Sequence, residues 1–201
     1  MRKRKLAGIG VLLGVTALLF GGCNEKEAPQ KLRVGVTYYD QNDTYLNELI
    51  GLFKESLKEI ESDKLEVSVA IRDAAGVQKN QNDQVEELID EGCNILCVNL
   101  VDRADPSEII DLARESEVPI IFFNREPVAE DLRQWEKLYY VGADAKQSGK
   151  LQGELAVEMI EENPQIDKNK DGKIQYVVLE GEMGHQDAII RTENAVNTLK
   201  E

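Results

Sequence analysis

Short apolar runs alternate with segments of helical periodicity through most of the chain. The apolar runs predict strands at residues 32–37, 66–72, 94–100, 118–123 and 139–141. Between them, residues 46–60 and 85–89 place apolar side chains at helical spacing. Asp105 to Glu108 has the cap, proline and glutamate of a helix start, with Pro106 at the first helical position. This βαβα order predicts an α/β fold in which helices cover both faces of a parallel sheet.

A second unit of the same kind begins near residue 144. Its predicted elements are a helix at residues 144–160 with an apolar stripe of Leu151, Leu155 and Met159, a strand at 174–179 and a helix at about 187–199. A segment this short buries too little surface to be stable alone. We therefore interpret residues 32–142 as a complete N-terminal lobe with a Rossmann-like parallel sheet, and residues 143–201 as the beginning of a second lobe. The alternative is that residues 144–201 complete the first sheet within a single domain.

The N-terminus has the layout of a targeting segment. A basic stretch precedes an apolar run at residues 6–20, and the two glycines before Cys23 form a small-residue cleavage site. The apolar run is shorter than the ~20 residues that a membrane-spanning helix needs. This order is typical of a bacterial lipobox, which predicts a signal peptide at residues 1–22, a lipidated Cys23 and a polar tether at residues 23–31. An ordinary signal peptide or a short anchor is the alternative.

The charge restricts the class of partner. The chain carries a formal net charge of −14 at pH 7, and residues 1–22 contain basic but no acidic side chains, so the remainder is more acidic still. An acidic surface argues against nucleic acid and anionic membrane as partners. Neutral small molecules or cations fit better.

Cys93 and Cys97 lie in residues 93–98, a stretch with the pattern of a strand. Four strand residues span ~13 Å, which is too far for a disulfide between the two thiols. We interpret both as buried thiols that pack like apolar side chains.

Polar side chains follow several of the predicted strands. Ligands of parallel α/β sheets bind beyond the carboxyl ends of the strands, and Asp43, Asn99, Asn124 and Arg125 fall there. Tyr45 offers an apolar ring to the flat face of a ligand. A helix cap at Asp43 and a plain loop at Asn124 and Arg125 are the simpler interpretations.

Residues 167–175 follow the first part of an EF-hand-type calcium loop. The expected oxygen ligands are Asp167, Asn169, Asp171, the Lys173 carbonyl and Gln175, with glycine at the sharp turn. Position 12 of the pattern, which needs a bidentate glutamate, is Val178. Ca²⁺ takes about 6–8 oxygens, so the sequence predicts a site that this loop leaves incomplete. Strand alternation directs Glu180, the nearby substitute, away from Gln175.

A last polar group contains His185, Asp187 and Arg191. Asp187 and Arg191 stand at i and i+4, the spacing of a surface ion pair on a helix. The alternative is a binding cluster, in which carboxylate and guanidinium each engage two neighbouring hydroxyls.

The chain has no GxSxG elbow, phosphate-binding loop or GxGxxG turn, and we predict no enzyme activity.

These motifs together resemble the bacterial galactose/glucose-binding proteins of the type I periplasmic binding protein superfamily. The resemblance covers the chain after residue 31 and is carried, in chain order, by Asp43-Thr44-Tyr45, Phe122-Phe123-Asn124-Arg125-Glu126-Pro127, Tyr139-Tyr140-Val141-Gly142, the calcium loop, and Gly184-His185-Gln186-Asp187 with Arg191. It implies two lobes joined by a hinge, a sugar bound between them and one calcium ion in the second lobe.

The resemblance also assigns roles to single residues. Hydrogen bonds to the sugar are implied for Asp43, Asn124, His185, Asp187 and Arg191. Tyr45 would stack on the sugar where the family more often has phenylalanine, and Arg125 stands where lysine is common. Calcium would be held by Asp167, Asn169, Asp171, Lys173 and Gln175. The family continues beyond this point with an opposing tryptophan, further ligands and the calcium glutamate, so we expect the second lobe to be cut short at Glu201.

The function implied by the resemblance is capture of galactose or glucose for an ABC importer. The protein would be a monomer, anchored through the lipid on Cys23 to the outer face of the cell membrane, and would present its closed form to the permease. A sensory module that reports sugar occupancy to a chemoreceptor or histidine kinase is the alternative. A transcriptional regulator would need a basic DNA-binding segment before Leu32, where the lipobox-like sequence stands instead.

Overall fold

The computed structural model describes residues 28–181 and 185–200. Its elements are β1 (Gln30–Tyr38), α1 (Thr44–Glu59), β2 (Leu65–Asp73), α2 (Gln78–Asp90), β3 (Ile95–Val98), α3 (Ser107–Glu115), β4 (Ile120–Phe123), α4 (Ala129–Leu132), β5 (Leu138–Val141), α5 (Ala145–Glu162), a 3-10 turn (Pro164–Ile166) and α6 (Gln186–Lys200). The predicted signal peptide and Cys23 lie outside the described residues. Within those residues, no helix has the length and apolar character needed to cross a membrane.

The five strands pair in parallel in the order β2-β1-β3-β4-β5. Val36 of β1 pairs with Ile71 of β2 on one side and with Cys97 of β3 on the other. Because all strands run the same way, the carboxyl ends of β1, β3 and β4 meet at one edge of the sheet. The α/β prediction is confirmed, and so are the first five predicted strands, to within two residues at each end.

Apolar side chains cover both faces of the sheet. Helices α2 and α3 pack on one face, where Leu88, Leu96, Ile110 and Phe122 are fully buried. Helix α1 packs on the other face through Leu57 and Phe53. Cys93 joins the first cluster and Cys97 the second, which confirms the prediction that both are buried thiols packed among apolar side chains.

Helices α5 and α6 pack closely against each other. The buried residues of α5 are Ala145, Gly149 and Gly153. A Cβ added to Gly149 would lie 2.4 Å from the Arg191 carbonyl oxygen, and one added to Gly153 would lie 2.6 Å from Cβ of Thr198. The earlier glycine of α5 approaches the earlier residue of α6, and the later glycine approaches the later one. The two helices therefore run parallel.

The apolar stripe of α5 does not lie on the face of the helix that contacts α6. Leu151, Leu155 and Met159 are more than half exposed among the described residues. The helix prediction is confirmed, but the residues that pack against α6 are the glycines. Small side chains let two helix backbones approach, whereas the larger apolar side chains point elsewhere.

Two local predictions are wrong. Residues 174–179 form no strand: they have no regular secondary structure, and Val177 and Leu179 are 87% and 93% exposed. A strand needs a neighbour to receive its hydrogen bonds, and none of the five described strands pairs with this segment. Helix α3 begins at Ser107, so Pro106 occupies the cap position instead of the first helical position. The shift of one residue is within the usual variation of helix ends.

Candidate ligand-binding cleft

A cleft of about 1020 Å³ lies between the carboxyl edge of the sheet and helix α6. The predicted ligand residues on its wall are Tyr45, Asn124, His185, Asp187 and Arg191. Its floor continues over the α1 face of the sheet and is apolar there, with Val36, Phe53 and Ile121. The structure therefore brings together five of the seven predicted sugar ligands, drawn from both predicted lobes. Asp43 and Arg125 lie outside this wall.

Asp43 caps helix α1. Its Oδ1 accepts a hydrogen bond of 2.9 Å from the Leu46 backbone N–H, and its Oδ2 accepts one of 2.6 Å from the Tyr39 hydroxyl. Partial burial opposes ionisation, but these hydrogen bonds and the nearby Arg125 outweigh it and hold the pKa of Asp43 below its ordinary value. The capping interpretation is confirmed, and the carboxylate presents only acceptor oxygens at neutral pH.

Arg125 is held by the loops around it. Its guanidinium lies over the ring of Tyr39, 3.8 Å from the centroid, and its Nη1 donates to the Val101 carbonyl at 3.1 Å. Stacking and hydrogen bonding of this kind suit a planar guanidinium better than the ammonium of lysine. Arg125 thereby places a positive charge near Asp43.

Asn124 has a backbone conformation that few residues adopt. Its φ is +61°, in the left-handed region that asparagine tolerates better than most residues. The backbone N–H donates to the Val141 carbonyl at 3.1 Å, and the backbone carbonyl accepts from the Tyr140 hydroxyl at 3.1 Å. The end of β4 is therefore tied to the end of β5.

Tyr140 keeps its proton throughout the physiological range. Burial, with the negative charges of Asp187 and Glu126 nearby, raises the pKa of Tyr140 to about 12. Its hydroxyl is consequently available as a donor to Asn124 at neutral pH.

Asp187 and Arg191 enter the cleft from α6. Their closest charged atoms are 3.9 Å apart, and the side chain of Asp187 is 19% exposed. This confirms the predicted i,i+4 ion pair, although it is a long one. Nε of Arg191 is buried and has no hydrogen-bond partner among the described residues. A buried donor without a partner is unfavourable. His185 lines the cleft just before the helix begins.

In the predicted calcium loop, two aspartate side chains accept hydrogen bonds from backbone N–H groups of the loop itself. Asp167 Oδ2 accepts from Gly172 N–H at 2.8 Å, and Asp171 Oδ1 accepts from Lys173 N–H at 2.9 Å. Gly172 has a φ of +74°, which agrees with its expected role at the sharp turn. Oδ1 of Asp167 is buried without a hydrogen-bond partner among the described residues. An unpaired buried carboxylate oxygen of this kind fits a cation.

The rest of the loop supplies few charged ligands. Asn169 and Gln175 contribute amides, and both contact Asp171. Across the described part of the chain, no group of three or more His, Cys, Asp or Glu side chains could hold a metal ion. Val178, at the position of the expected glutamate, lines the cleft. The described loop residues therefore supply an incomplete set of ligands for a cation.

Two residues that the motifs did not single out make hydrogen bonds near the carboxyl ends of the strands. Gln81 is fully buried in α2, donates to the Asn99 carbonyl at 2.8 Å and accepts from Val101 N–H at 2.9 Å. Arg103 donates to Gln186 of α6 at 3.1 Å and so joins the two predicted lobes. The polar run at the start of α2 was the available signal for Gln81, because a buried amide in a helix needs partners outside it.

Known proteins resemble the chain in sequence and structure. It is 40% identical, over 167 residues, to the D-galactose/methyl-galactoside binding periplasmic protein MglB of Haemophilus influenzae, covering 83% of this chain and 49% of that protein. It is 31% identical, over 133 residues, to the putative rhizopine-binding protein of Rhizobium meliloti, covering 66% and 40%. The crystal structure of an ABC transporter solute binding protein from Bacillus halodurans C-125 with bound myo-inositol superimposes with a TM-score of 0.65 at 26% identity, covering 87% and 54%.

The chain thus spans about half the length of the relatives that it matches. The family described as the periplasmic binding protein domain matches residues 34–201. The sheet order, the cleft at its carboxyl edge and these matches agree with the type I fold that the sequence resembles. The chain belongs to the periplasmic binding protein domain family.

Proposed function

We propose that the protein binds a monosaccharide, galactose or glucose, in the cleft between the sheet edge and α6. The observation that carries this proposal is the convergence of Asn124, Asp187 and Arg191 with the exposed ring of Tyr45 in one cleft. A sugar presents hydroxyls at its edge and C–H groups on its faces. Charged and amide groups suit the edge, and an aromatic ring suits a face.

The choice of galactose or glucose rests on the relatives. MglB of Haemophilus influenzae, 40% identical, is named for galactose and methyl galactoside. Asp43, Asn124, His185, Asp187 and Arg191 are the hydrogen-bonding residues that the resemblance implies. The buried Nε of Arg191 supports the same proposal, because a sugar oxygen would supply its missing acceptor.

In this proposal the protein is an extracytoplasmic receptor of an ABC importer and catalyses no reaction. Closure about the Tyr140–Asp144 crossover would exclude water from the sugar and create the shape that a permease recognises. Lipidation of Cys23 would keep the receptor at the outer face of the membrane. A calcium ion held by Asp167, Asn169, Asp171, the Lys173 carbonyl and Gln175 would stabilise the second lobe.

Calorimetry with D-galactose and D-glucose tests the sugar proposal. We expect saturable binding that falls about 10- to 100-fold in Arg191→Ala, the range for a lost hydrogen bond to a charged group. Arg133→Ala is the matched control, because Arg133 pairs with Glu130 on an exposed surface outside the cleft. Absence of binding to either sugar at millimolar concentrations, or equal loss in both variants, would contradict the proposal.

A further inference from the structure

We propose that buried Asn99 is a positioning residue, which orients the side-chain amide of Asn124 so that its Nδ2 donor faces the cleft. This inference rests on the proposed function, since it specifies what Asn124 offers to a sugar. Neither amide orientation follows from sequence, because the oxygen and nitrogen of an asparagine side chain have nearly the same shape.

The orientation of Asn99 is fixed by two backbone groups. Its Oδ1 accepts from the Tyr39 N–H at 3.3 Å, and its Nδ2 donates to the Phe123 carbonyl at 3.1 Å. An N–H group only donates and a carbonyl only accepts, so a flipped amide would face like groups on both sides. Asn99 is fully buried, where such a mismatch is costly.

The position of Asn99 is fixed as well. Its backbone N–H donates to the Thr37 carbonyl at 2.9 Å, and its own carbonyl accepts from Gln81 at 2.8 Å. Asn99 therefore joins the ends of three neighbouring strands, β1, β3 and β4, through backbone groups. None of these contacts needs a ligand.

The orientation of Asn124 then follows from Asn99. Nδ2 of Asn99 also donates to Oδ1 of Asn124 at 3.0 Å. The Asn124 oxygen is thereby occupied, and its Nδ2 has no hydrogen-bond partner among the described residues. The side chain lines the cleft, and its backbone is held by Val141 and Tyr140.

The consequence is a donor of fixed direction on the cleft wall. The ligand atom that meets Asn124 must be an acceptor, such as a ring oxygen or the lone pair of a hydroxyl. The carboxylate oxygens of Asp187 offer the opposite, since they are hydrogen-bond acceptors. One wall of the cleft therefore selects for a donor and another for an acceptor, which limits how a polyhydroxylated ligand can be oriented.

Hydrogen exchange of the side-chain amides tests the orientation without any sugar. In the ¹⁵N-labelled chain, signals are assigned by comparison with Asn99→Ser and Asn124→Ser. We expect the Nδ2 hydrogens of Asn99 to exchange at least about tenfold more slowly than those of Asn124, because they are buried and bonded. Equal rates, or greater protection at Asn124, would overturn the inference.

Binding of D-galactose then tests the positioning role. Asn99→Ala is expected to weaken binding about tenfold when Asn124 is present and less than twofold in an Asn124→Ala background. A loss of the same size in both backgrounds would indicate a general structural role and overturn the inference. If the unsubstituted chain binds no sugar, the proposed function fails, and the exchange measurement still decides the orientation.

Discussion

The hydroxyl of Tyr39 donates a hydrogen bond of 2.6 Å to Oδ2 of Asp43 while the ring of the same tyrosine lies under the guanidinium of Arg125. One aromatic side chain thus links the carboxylate that caps α1 to the cation at the end of β4. A substitution can separate the contribution of the hydroxyl from that of the ring, because phenylalanine keeps the ring and lacks the hydroxyl.

Tyr39→Phe is expected to raise the pKa of Asp43 and to lower the free energy of unfolding by about 1 kcal/mol, the net value of one hydrogen bond. The folded-state pKa of Asp43 is depressed, so its contribution is present above the unfolded pKa and is lost as pH falls through the folded pKa. The difference in stability between the two proteins should therefore be full at pH 7 and shrink below about pH 4.

Carboxyl ¹³C NMR titration measures the pKa of Asp43, and urea unfolding at pH 7 and at pH 3 measures stability. Tyr45→Phe is the matched control, because Tyr45 is 62% exposed and no hydrogen bond of its hydroxyl is found among the described residues. An unchanged pKa of Asp43 in Tyr39→Phe would contradict the prediction.

Gly149→Ala and Gly153→Ala are expected to destabilise the packing of α5 against α6 by about 1–3 kcal/mol each, the usual cost of overpacking. Gly149→Ala should be the more severe, since its Cβ would meet the Arg191 backbone oxygen at 2.4 Å. The same displacement moves Arg191, so sugar affinity should also fall. Thermal unfolding by circular dichroism checks the first effect and calorimetry the second.

The control for both variants is Gly51→Ala in α1, where an added Cβ meets nothing within 4 Å. Replacing a glycine inside a helix by alanine without a clash stabilises it by roughly 0.5–1 kcal/mol. The melting temperature should therefore rise by about 2 °C in Gly51→Ala and fall in the other two. A rise in all three would show that the α5–α6 contact is looser than the structure indicates.

Gln81→Leu is expected to cost about 2–4 kcal/mol of stability. The substitution keeps the volume but leaves the Asn99 carbonyl and the Val101 N–H without their partner, and unpaired buried groups cost about 1–3 kcal/mol each. Glu86→Leu, on the exposed face of the same helix, introduces the same side chain without removing these bonds. Urea unfolding compares the two, and similar losses would contradict the role of Gln81.

Calcium binding to this chain is expected to be weak, in the roughly millimolar range of loosely held sites, because the bidentate carboxylate of the loop pattern is missing. Asp171→Ala should abolish whatever binding exists. Glu180→Ala should leave it unchanged, since Glu180 is exposed and outside the loop. Terbium luminescence during calcium titration provides the measurement, and submicromolar binding would show that the missing glutamate is not required.

Local patterns in the sequence determined the class of fold and the positions of its first five strands. Apolar runs mark strands that are buried on both faces, and this signal does not depend on distant residues. The cap at Asp43 and the turn at Gly172 were equally local, since each depends on the conformational preferences of a few adjacent residues. The family resemblance rested on such motifs and is confirmed.

Tertiary structure decided the features that depend on neighbours distant in sequence. Residues 174–179 have the composition of a strand, yet no described strand pairs with them, because a strand exists only through hydrogen bonds to another. The contact face of α5 was likewise decided by how closely α6 approaches Gly149 and Gly153. The orientation of Asn124 depends on Asn99, 25 residues away in sequence. Only the parallel sheet, by bringing strand ends to one edge, places those two amides within hydrogen-bonding distance.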